Sequence, residues 1–323
     1  MAPASSAEGA PAAPIVLCAG IAVIDRIFSV AAYPAEGTKT RARAIATIGG
    51  GCAANAAVAV ARLGGRAQLA APLGGPAGAD FTGDAILARL AREGVDTRAV
   101  IRHAGAPSPV STVILADSGE RTIVNYRDDT LSSVRCVDPA ALVAGVAAVL
   151  IDNRFPEFVL PIARAARDSG NIVLMDADEP TRETANLLAA CSHVVFSANG
   201  LRATAGTAAL PEALMRIGAQ TPARLAVTDG GRGLLWLDEG TVRTMETFAV
   251  EAVDTLAAGD VFHGACTLAL AEGRPFAQAL RFASAAAAIK CTRPGGIAGA
   301  PARGEVEALL AGSEGFVNKT TCI

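Results

Sequence analysis

The sequence predicts an α/β protein whose core is a doubly wound, mostly parallel sheet with a small β-sheet inserted into it. Three observations support this fold class. Residues 15–24 form a continuous apolar run, typical of a strand buried on both faces of a parallel sheet. Further along the chain, short apolar strands alternate with helical patterns, which favours βαβ units. Residues 27–48 and 109–126 instead alternate with period two, which indicates a separate, partly exposed sheet.

The individual elements follow from the same patterns. Strands are predicted at 15–24, 68–73, 147–151, 172–175, 194–196, 224–228 and 234–237, and helices at 56–63, 80–92, 158–167, 265–272 and 279–290. The main domain is therefore expected at 15–26, 49–106 and 131–312, and the inserted sheet at 27–48 and 107–130, with a turn at 117–120. The Ala/Pro/Ser-rich start, 1–14, predicts a disordered tail, and 313–323 predicts a C-terminal tail.

Composition excludes several classes of function. The 323 residues include 28 basic and 31 acidic side chains, with a formal charge of −3 and only 4% aromatic residues, so we expect no nucleic-acid partner. No apolar run is long enough to predict a membrane span, so we expect no membrane partner. The seven cysteines contain no C-x-x-C pair and lie among apolar residues, which indicates reduced thiols and a cytoplasmic protein.

The stretch VDTLAAGDVFHGA, residues 253–265, is the strongest candidate for a catalytic segment. Small residues at Ala257, Ala258 and Gly259 lead into a helix, whose first amides have no intrahelical partner and can bind an anion. Asp260 lies in the first turn, where a carboxylate beside a bound phosphate could accept a proton from a hydroxyl. The alternative is that Asp260 merely caps the helix.

A second candidate segment is GGGCAAN, residues 49–55, which leads into a helix of small residues. Gly50 and Gly51 would let a ligand approach the backbone, and Asn55 could both donate to and accept from hydroxyls. Asp25 follows the first apolar strand, where α/β proteins bind ligands. A tight turn and a capping carboxylate are the alternatives. A nicotinamide dehydrogenase is disfavoured because no G-x-G-x-x-G follows the first strand.

Both segments resemble signatures of the ribokinase-like (PfkB-type) carbohydrate kinases, in the order that the family has them. The resemblance extends from Ile15 to Pro301 and implies a three-layer αβα fold with a β-sheet lid, which often also forms a dimer surface. It implies that Asp260 is the catalytic base and that the amides of Ala257, Ala258, Gly259 and Asp260 form an anion hole. It also implies that Asp25, Gly50, Gly51 and Asn55 bind the sugar, that ATP with Mg²⁺ is the phosphoryl donor, and that a homodimer forms through the lid.

The resemblance also suggests the nucleotide contacts. Thr228 and Gly230 match the family's Thr-x-Gly turn, Gly259 belongs to the anion hole, and Gly296 lies in the loop that borders adenine. The family's Asn-x-x-Glu motif is absent, since Ser197 and Gly200 stand in its place. Asn199 with Asp176 or Asp178 could replace it, or ATP could hold the metal, so the metal ligands stay unknown. Some relatives bind a monovalent cation between the 291–296 loop and the Asp-Thr pair, and the sequence leaves open whether this chain does.

Three segments carry a closer resemblance: GIAVIDRI at 20–27, GDVFHGA at 259–265 and KCTRPGG at 290–296. By these segments the chain looks most like the family's kinases of 6-deoxy-6-sulfofructose, which implies phosphorylation to the 1-phosphate. An anionic tail on the sugar needs cationic or amide donors, and Lys39, Asn125 and Arg154 could converge on it. Alternatively, Lys39 belongs to a solvated edge with Arg41 and Arg43, and Arg154 pairs with Asp152. A fructokinase, ketohexokinase or ribokinase-type activity is the second interpretation, and a non-catalytic sugar- or nucleotide-binding regulator is the alternative of another class.

Overall fold

The structure is a computed structural model that describes residues 12–118 and 120–312. The predicted C-terminal tail and residues 1–11 of the predicted N-terminal tail lie outside the described residues, as does Gly119 of the predicted turn. The strands are β1 (Ile15–Ala19), β2 (Val23–Val30), β3 (Ala44–Gly50), β4 (Arg66–Ala70), β5 (Pro72–Gly75), β6 (Ile101–Ala104), β7 (Val110–Ala116), β8 (Arg121–Tyr126), β9 (Ala148–Asp152), β10 (Ile172–Ala177), β11 (His193–Ser197), β12 (Arg224–Thr228), β13 (Leu234–Asp238) and β14 (Thr241–Met245). The helices are α1 (Cys52–Arg62), α2 (Phe81–Arg92), α3 (Pro139–Val143), α4 (Pro156–Asp168), α5 (Thr184–Ala190), α6 (Ala198–Ala205), α7 (Leu210–Gly218), α8 (Ala258–Ala271), α9 (Phe276–Cys291) and α10 (Arg303–Gly312).

The main sheet has eight strands in the order β14-β13-β12-β11-β10-β9-β1-β4. The pairs from β4 to β12 are parallel, and β13 and β14 complete one edge as an antiparallel hairpin. Helices cover both faces. Val16 and Cys18 of β1 pack on the side of α1, α8 and α9, whereas Leu17 and Ala19 pack on the side of α4 to α7. All four side chains are fully buried, which explains why β1 is apolar at every position.

A four-stranded sheet, β3-β2-β7-β8, is separate from the main sheet and corresponds to the predicted inserted sheet, called the lid below. The β7–β8 hairpin agrees with the predicted alternation at 109–126, and β2 pairs in parallel with β7. The prediction of one strand at 15–24 is wrong, because the chain leaves the main sheet after Ala19 and enters the lid sheet at Val23. Gly20 makes this exit possible, since a Cβ there would lie 2.1 Å from the carboxylate of Asp152. The sequence did not indicate the end of β1, because the residues on both sides of Gly20 are apolar.

The prediction of a period-two strand through Lys39, Arg41 and Arg43 is also wrong. The strand pairing of β2 and β3 stops at Ala44, and residues 31–43 form an exposed connection between them. Pro34 and Gly37, the latter with φ of 73°, interrupt the extended backbone there. Lys39 therefore lies on a loop and not on a lid strand.

Helices α1 and α8 pack against each other at unusually short range. A Cβ at Gly264 of α8 would lie 2.5 Å from the carbonyl oxygen of Ala56 in α1, so the contact requires the absence of a side chain. Both helices consist largely of small residues, with Ala53, Ala54, Ala56 and Ala57 buried on α1. This close approach brings the two segments that the sequence singled out to one place.

Candidate active site

Asn55 and Asp260 form the centre of the site. Nδ2 of Asn55, on the first turns of α1, donates to Oδ2 of Asp260 on the first turn of α8 at 2.6 Å. The amide group fixes the orientation of the carboxylate and leaves its other oxygen for a further partner. The sequence predicted both residues separately, and the structure brings them into contact.

The turn before α8 is organised by Asp254. Its Oδ1 accepts from the amide of Leu256 at 2.8 Å, and its Oδ2 accepts from the amide of Gly296 at 2.9 Å. Ala257 then adopts a left-handed conformation, with φ of 65°, which costs a non-glycine residue of the order of 1 kcal/mol or more. Such strain is typical of a backbone that is positioned for function.

The amides at the start of α8 are not equivalent. The amide of Ala258 donates to the carbonyl of Thr255 at 3.2 Å, whereas the amides of Gly259 and Asp260 belong to the helical turn that has no intrahelical acceptor. The predicted anion hole therefore centres on Gly259 and Asp260. Together with the positive end of the helix dipole, these groups suit a phosphate.

A second carboxylate lies beside Asp260. Sγ of Cys52 and carboxylate oxygens of Asp176 and Asp260 all lie within 4.8 Å of one another. Asp176, at the end of β10, also lies 3.5 Å from Nδ1 of His263, whose ring contacts the carbonyl oxygens of Gly259 and Val195. His263 is itself buried.

The surroundings of Asp260 bring its pKa close to neutral pH. Burial, and next the negative charge of Asp176, raise the pKa of Asp260 to about 7, while the hydrogen bond from Asn55 opposes the shift. Burial and the neighbouring Asp178 likewise raise the pKa of Asp176. A carboxylate whose pKa lies close to working pH is suited to accept a proton from a hydroxyl.

Asp25 and Gly50 form the lid side of the site. Asp25 does not end a strand of the parallel sheet, as predicted, but lies within β2 of the lid, because β2 extends to Val30. It is 9% exposed, and a Cβ at Gly50 would lie 2.2 Å from its carboxylate. Burial raises the pKa of Asp25, and a hydrogen bond with Ser111 partly offsets this. Gly50 and Asn55 border one pocket, whose lining does not include Asp25 or Gly51.

Gly51 connects this region to α1 and has φ of 95°. A Cβ there would lie 2.5 Å from the carbonyl oxygen of Ile21, so neither the conformation nor the space admits a side chain. The close approach at Gly51 is thus made by the chain's own backbone, and the predicted approach of a ligand stays a prediction.

Asp152 is a member of the site that the sequence analysis considered only as a partner of Arg154. Its Oδ2 accepts from the amides of Ile21 at 2.7 Å and Ala53 at 3.2 Å, and its Oδ1 accepts from the amide of Arg154 at 3.0 Å. The carboxylate therefore joins the end of β9, the β1–β2 connection and the start of α1. Its position at the end of an apolar strand was the available signal.

Two of the predicted nucleotide contacts, Thr228 and Asn199, lie near the carboxyl ends of the neighbouring strands β12 and β11. Thr228 ends β12 and is paired in register with Ser197 at the end of β11, directly before the helix that carries Asn199. Gly230 follows with φ of 56°. Gly296 donates to Asp254 and lies next to Leu256, so the 291–296 loop contacts the turn before α8.

Lys39, Asn125 and Arg154, which were predicted to bind an anionic tail, form no hydrogen bond or ion pair with one another. Asn125 of β8 is in register with Ser111 of β7, which is in register with Asp25 of β2. Asn125 therefore lies in the same row of the lid sheet as Asp25. The backbone amide of Arg154 donates to Asp152, but its side chain pairs with Asp178 and Glu179 and not with Asp152. Lys39 is exposed on the 31–43 loop.

Comparison with known proteins identifies the family. The model of the pfkB family of carbohydrate kinases matches residues 14–303, which is most of the chain. The chain belongs to this family. It is 29% identical over 294 residues to the ribokinase of Bacillus subtilis, covering 90% of this chain and 97% of that protein.

Solved structures of pfkB-type kinases agree with this assignment. A protein assigned as a ribokinase from Agrobacterium tumefaciens superimposes with a TM-score of 0.88 and 40% identity, covering 94% of this chain and 99% of that one. Arabidopsis thaliana ribokinase, solved in complex with ribose and ATP, has a TM-score of 0.82 and 25% identity, covering 92% and 99%. The expected ribokinase-like fold is thus confirmed.

In the described part of the chain, no helix is both long and apolar enough to cross a bilayer.

Proposed function

We propose that this protein transfers the γ-phosphoryl group of ATP to the terminal hydroxyl of a ketose, with Asp260 as the base. The observation that carries the proposal is the position of one carboxylate, with a pKa of about 7, in the first turn of α8. The same turn offers amides to a phosphate, and Asn55 connects the carboxylate to the lid side of the site. A base, an anion hole and hydroxyl-binding groups therefore meet at one point.

The reaction follows from these positions. Asp25 and Asn55 hold sugar hydroxyls, and Asp260 accepts the proton of the hydroxyl that attacks phosphorus. The oxygen forms a bond to the γ-phosphorus, the bond to the β-phosphate oxygen breaks, and ADP leaves. The amides of Gly259 and Asp260 stabilise the charge on the transferring group. Closure of the lid excludes water, which would otherwise compete as acceptor.

Mg²⁺ is expected to accompany ATP, and we propose that Asp176 contributes to its site. Asn199 is exposed, with Oδ1 3.4 Å from Arg202, and Asp178 accepts from Arg154. Asp176 lies beside Asp260 and is a hard oxygen donor of the kind that Mg²⁺ prefers, whereas the Cys52 thiol is a soft one. When bound, the ion neutralises phosphate charge. Asp176→Asn should raise the Mg²⁺ concentration needed for half-maximal rate, and an unchanged requirement would refute this role.

For the substrate we propose 6-deoxy-6-sulfofructose, which would be converted to the 1-phosphate. The support beyond the sequence resemblance is the proximity of two arginines, since burial, and next the charge of Arg154, lower the pKa of Arg127. Nη1 of Arg127, directly after β8, donates to the carbonyl of Arg154 at 2.7 Å, and the amide of Arg154 donates to Asp152 at the end of β9. Two adjacent arginines suit an oxyanion such as a sulfonate, once Arg154 exchanges its carboxylate partners for the ligand.

The test is a panel of acceptors, measured as ADP formed, that contains the sulfonated ketose, fructose, fructose 6-phosphate, tagatose 6-phosphate and ribose. We expect kcat/KM for the sulfonated ketose to exceed that for fructose at least 100-fold, and Arg154→Ala to reduce this ratio. Arg182→Ala, which breaks an exposed ion pair with Glu157 near α4, is the matched control and should preserve it. Equal rates on fructose would favour a fructokinase. Absence of ADP with every sugar would favour the non-catalytic regulator.

We also propose a homodimer through the lid. Ile45, Val124 and Tyr126 lie on the lid face opposite to Asp25 and are 64%, 62% and 52% exposed. An apolar face of this kind on a sheet favours a protein contact. Light scattering after gel filtration should give a dimer mass for the native chain and a monomer mass for Val124→Glu. A monomeric native chain would refute the assembly.

A further inference from the structure

Lys290 is a buried cation next to the turn that precedes the catalytic helix. Its side chain has no exposure to solvent, and Nζ lies 2.6 Å from the carbonyl oxygen of Asp254 and 3.3 Å from Oδ2 of the same residue. A buried ammonium group is costly unless it is paired and hydrogen-bonded. Here both conditions are met by one residue, which is also the residue that organises the turn at 254–257.

The surroundings of Lys290 are those of a cation-binding position. The amides of Val253 and Asp254 both donate to the carbonyl of Cys291, at 2.8 and 3.1 Å, and the amide of Gly296 donates to Oδ2 of Asp254. The ammonium group therefore lies where the 291–296 loop meets the Asp254-Thr255 pair. A further positive group lies nearby, since Nη1 of Arg121 donates to Oγ1 of Thr255 at 3.0 Å.

This is the place at which the family resemblance leaves a monovalent cation open, and the residues present do not fit one. A K⁺ ion beside the Asp254-Thr255 pair would compete with Nζ of Lys290 for the carbonyl and carboxylate oxygens of Asp254. It would also bring a second positive charge into contact with a buried ammonium group, which like-charge repulsion disfavours. Both arguments disfavour binding of K⁺ while the ammonium group of Lys290 is in place.

We infer that the ammonium group of Lys290 replaces a monovalent cation in this protein and acts as a positioning residue, so that the protein needs no K⁺ to order its phosphate-binding turn. The ammonium group holds the backbone carbonyl and carboxylate of Asp254. Asp254 in turn holds the amide of Leu256, directly before the left-handed Ala257 and the amides of α8. The inference about turnover rests on the proposed kinase function, whereas the inference about nucleotide binding does not.

The first test compares the native chain in chloride salts of K⁺, Na⁺ and choline at equal ionic strength. We expect the ATP dissociation constant from calorimetry, and kcat for the preferred acceptor, to agree within about twofold among the three salts. A tenfold or larger gain in either quantity with K⁺ over choline would overturn the inference. If no sugar is phosphorylated in any salt, the proposed function fails, while the calorimetric result still decides the question of the cation.

The second test uses two variants that differ in the space they leave. Lys290→Met keeps most of the side-chain volume without the charge, and Lys290→Ala opens a cavity beside Asp254. We expect both to weaken ATP binding at least tenfold in choline. K⁺ or NH₄⁺ should restore binding at least fivefold in Lys290→Ala but not in Lys290→Met. Equal behaviour of the two variants, with folding verified by circular dichroism, would show that the lysine has only a structural role and would overturn the inference.

Discussion

The side-chain amide of Asn55 and the carboxylate of Asp260 are 2.6 Å apart, although 205 positions separate them in the sequence. The contact exists because α1 and α8 approach closely enough for the carbonyl of Ala56 to face the bare Cα of Gly264. Asp260 on one helix and Asn55 on the other are thereby held at a fixed separation. If these residues have the proposed roles, catalytic geometry depends on helix packing at Gly264.

Gly264→Ala should damage both stability and turnover. The added Cβ would lie 2.5 Å from a backbone oxygen, so the helices must separate. We expect a loss of about 1–3 kcal/mol in the free energy of unfolding and a lower kcat, because a small misplacement of a base has a large effect. Chemical denaturation and steady-state kinetics measure the two quantities.

Gly304→Ala is the matched control for that substitution. Gly304 lies in α10 with no atom within 4 Å of the added Cβ, so helix propensity alone should raise stability by roughly 0.5–1 kcal/mol with kcat unchanged. If Gly264→Ala kept native kcat while losing stability, the proposed link between helix packing and catalysis would be wrong.

Asp260→Asn should abolish turnover and yet stabilise the fold at alkaline pH. The folded-state pKa of Asp260, about 7, lies above its ordinary value. As pH rises between these two values, the unfolded chain loses this proton while the native chain keeps it, so the free energy of unfolding falls. Asparagine avoids this loss and can still accept the hydrogen bond from Asn55. We expect an advantage of roughly 1–2 kcal/mol at pH 8 that shrinks towards pH 4.

Thermal unfolding from pH 4 to 8 measures this difference between the two proteins. A constant difference across the range would mean that Asp260 does not titrate with a raised pKa. Substantial turnover by the asparagine variant would contradict the assignment of the base.

The sequence predicted most of the fold because its signals were local. The apolar strands β9 to β13 lie within a few residues of their predicted positions, since period and composition determine them. The predictions were wrong for the start of α8, which begins at Ala258 and not at 265, and for the strand at 68–73, which is divided between β4 and β5. The lid strand β2 was missed because apolar residues continue across Gly20, and only the space beside Asp152 shows that the chain changes sheets there. Lys39 was wrongly predicted to lie on a strand. The residues around it alternate as in a strand, but in the structure they pair with no other strand.

The site was predictable to a different degree. Asp260, Asn55 and Gly50 stand in recognisable segments, whereas Asp176 and Lys290 act through neighbours that are distant in sequence. No local pattern marks a lysine near a helix end as buried, and only the fold places Asp254 beside it. Such long-range pairings explain why the charge environment of the base could not be predicted.

The rate of phosphoryl transfer should depend on pH with one acidic limb near neutrality. The base works only when it is deprotonated, so kcat/KM should fall about tenfold for each unit below the pKa of about 7 and level off above it. Asp117→Asn, which changes an exposed carboxylate of the lid, should leave the profile unchanged. A profile that stays flat down to pH 5 would exclude Asp260 as the group that limits the rate.

Gly50→Ala and Gly49→Ala together test the assignment of the sugar site. A Cβ at Gly50 would lie 2.2 Å from Oδ2 of Asp25, whereas no atom lies within 4 Å of one at Gly49, although both residues belong to β3. The first variant must displace the carboxylate of Asp25, so we expect its KM for the sugar to rise at least tenfold while the KM for ATP changes less than twofold. The second should resemble the native protein in both constants. Equal sugar KM values for the two variants would place the sugar away from Asp25, and a matching rise in the KM for ATP would mean that Gly50 supports the whole cleft and does not serve the sugar alone.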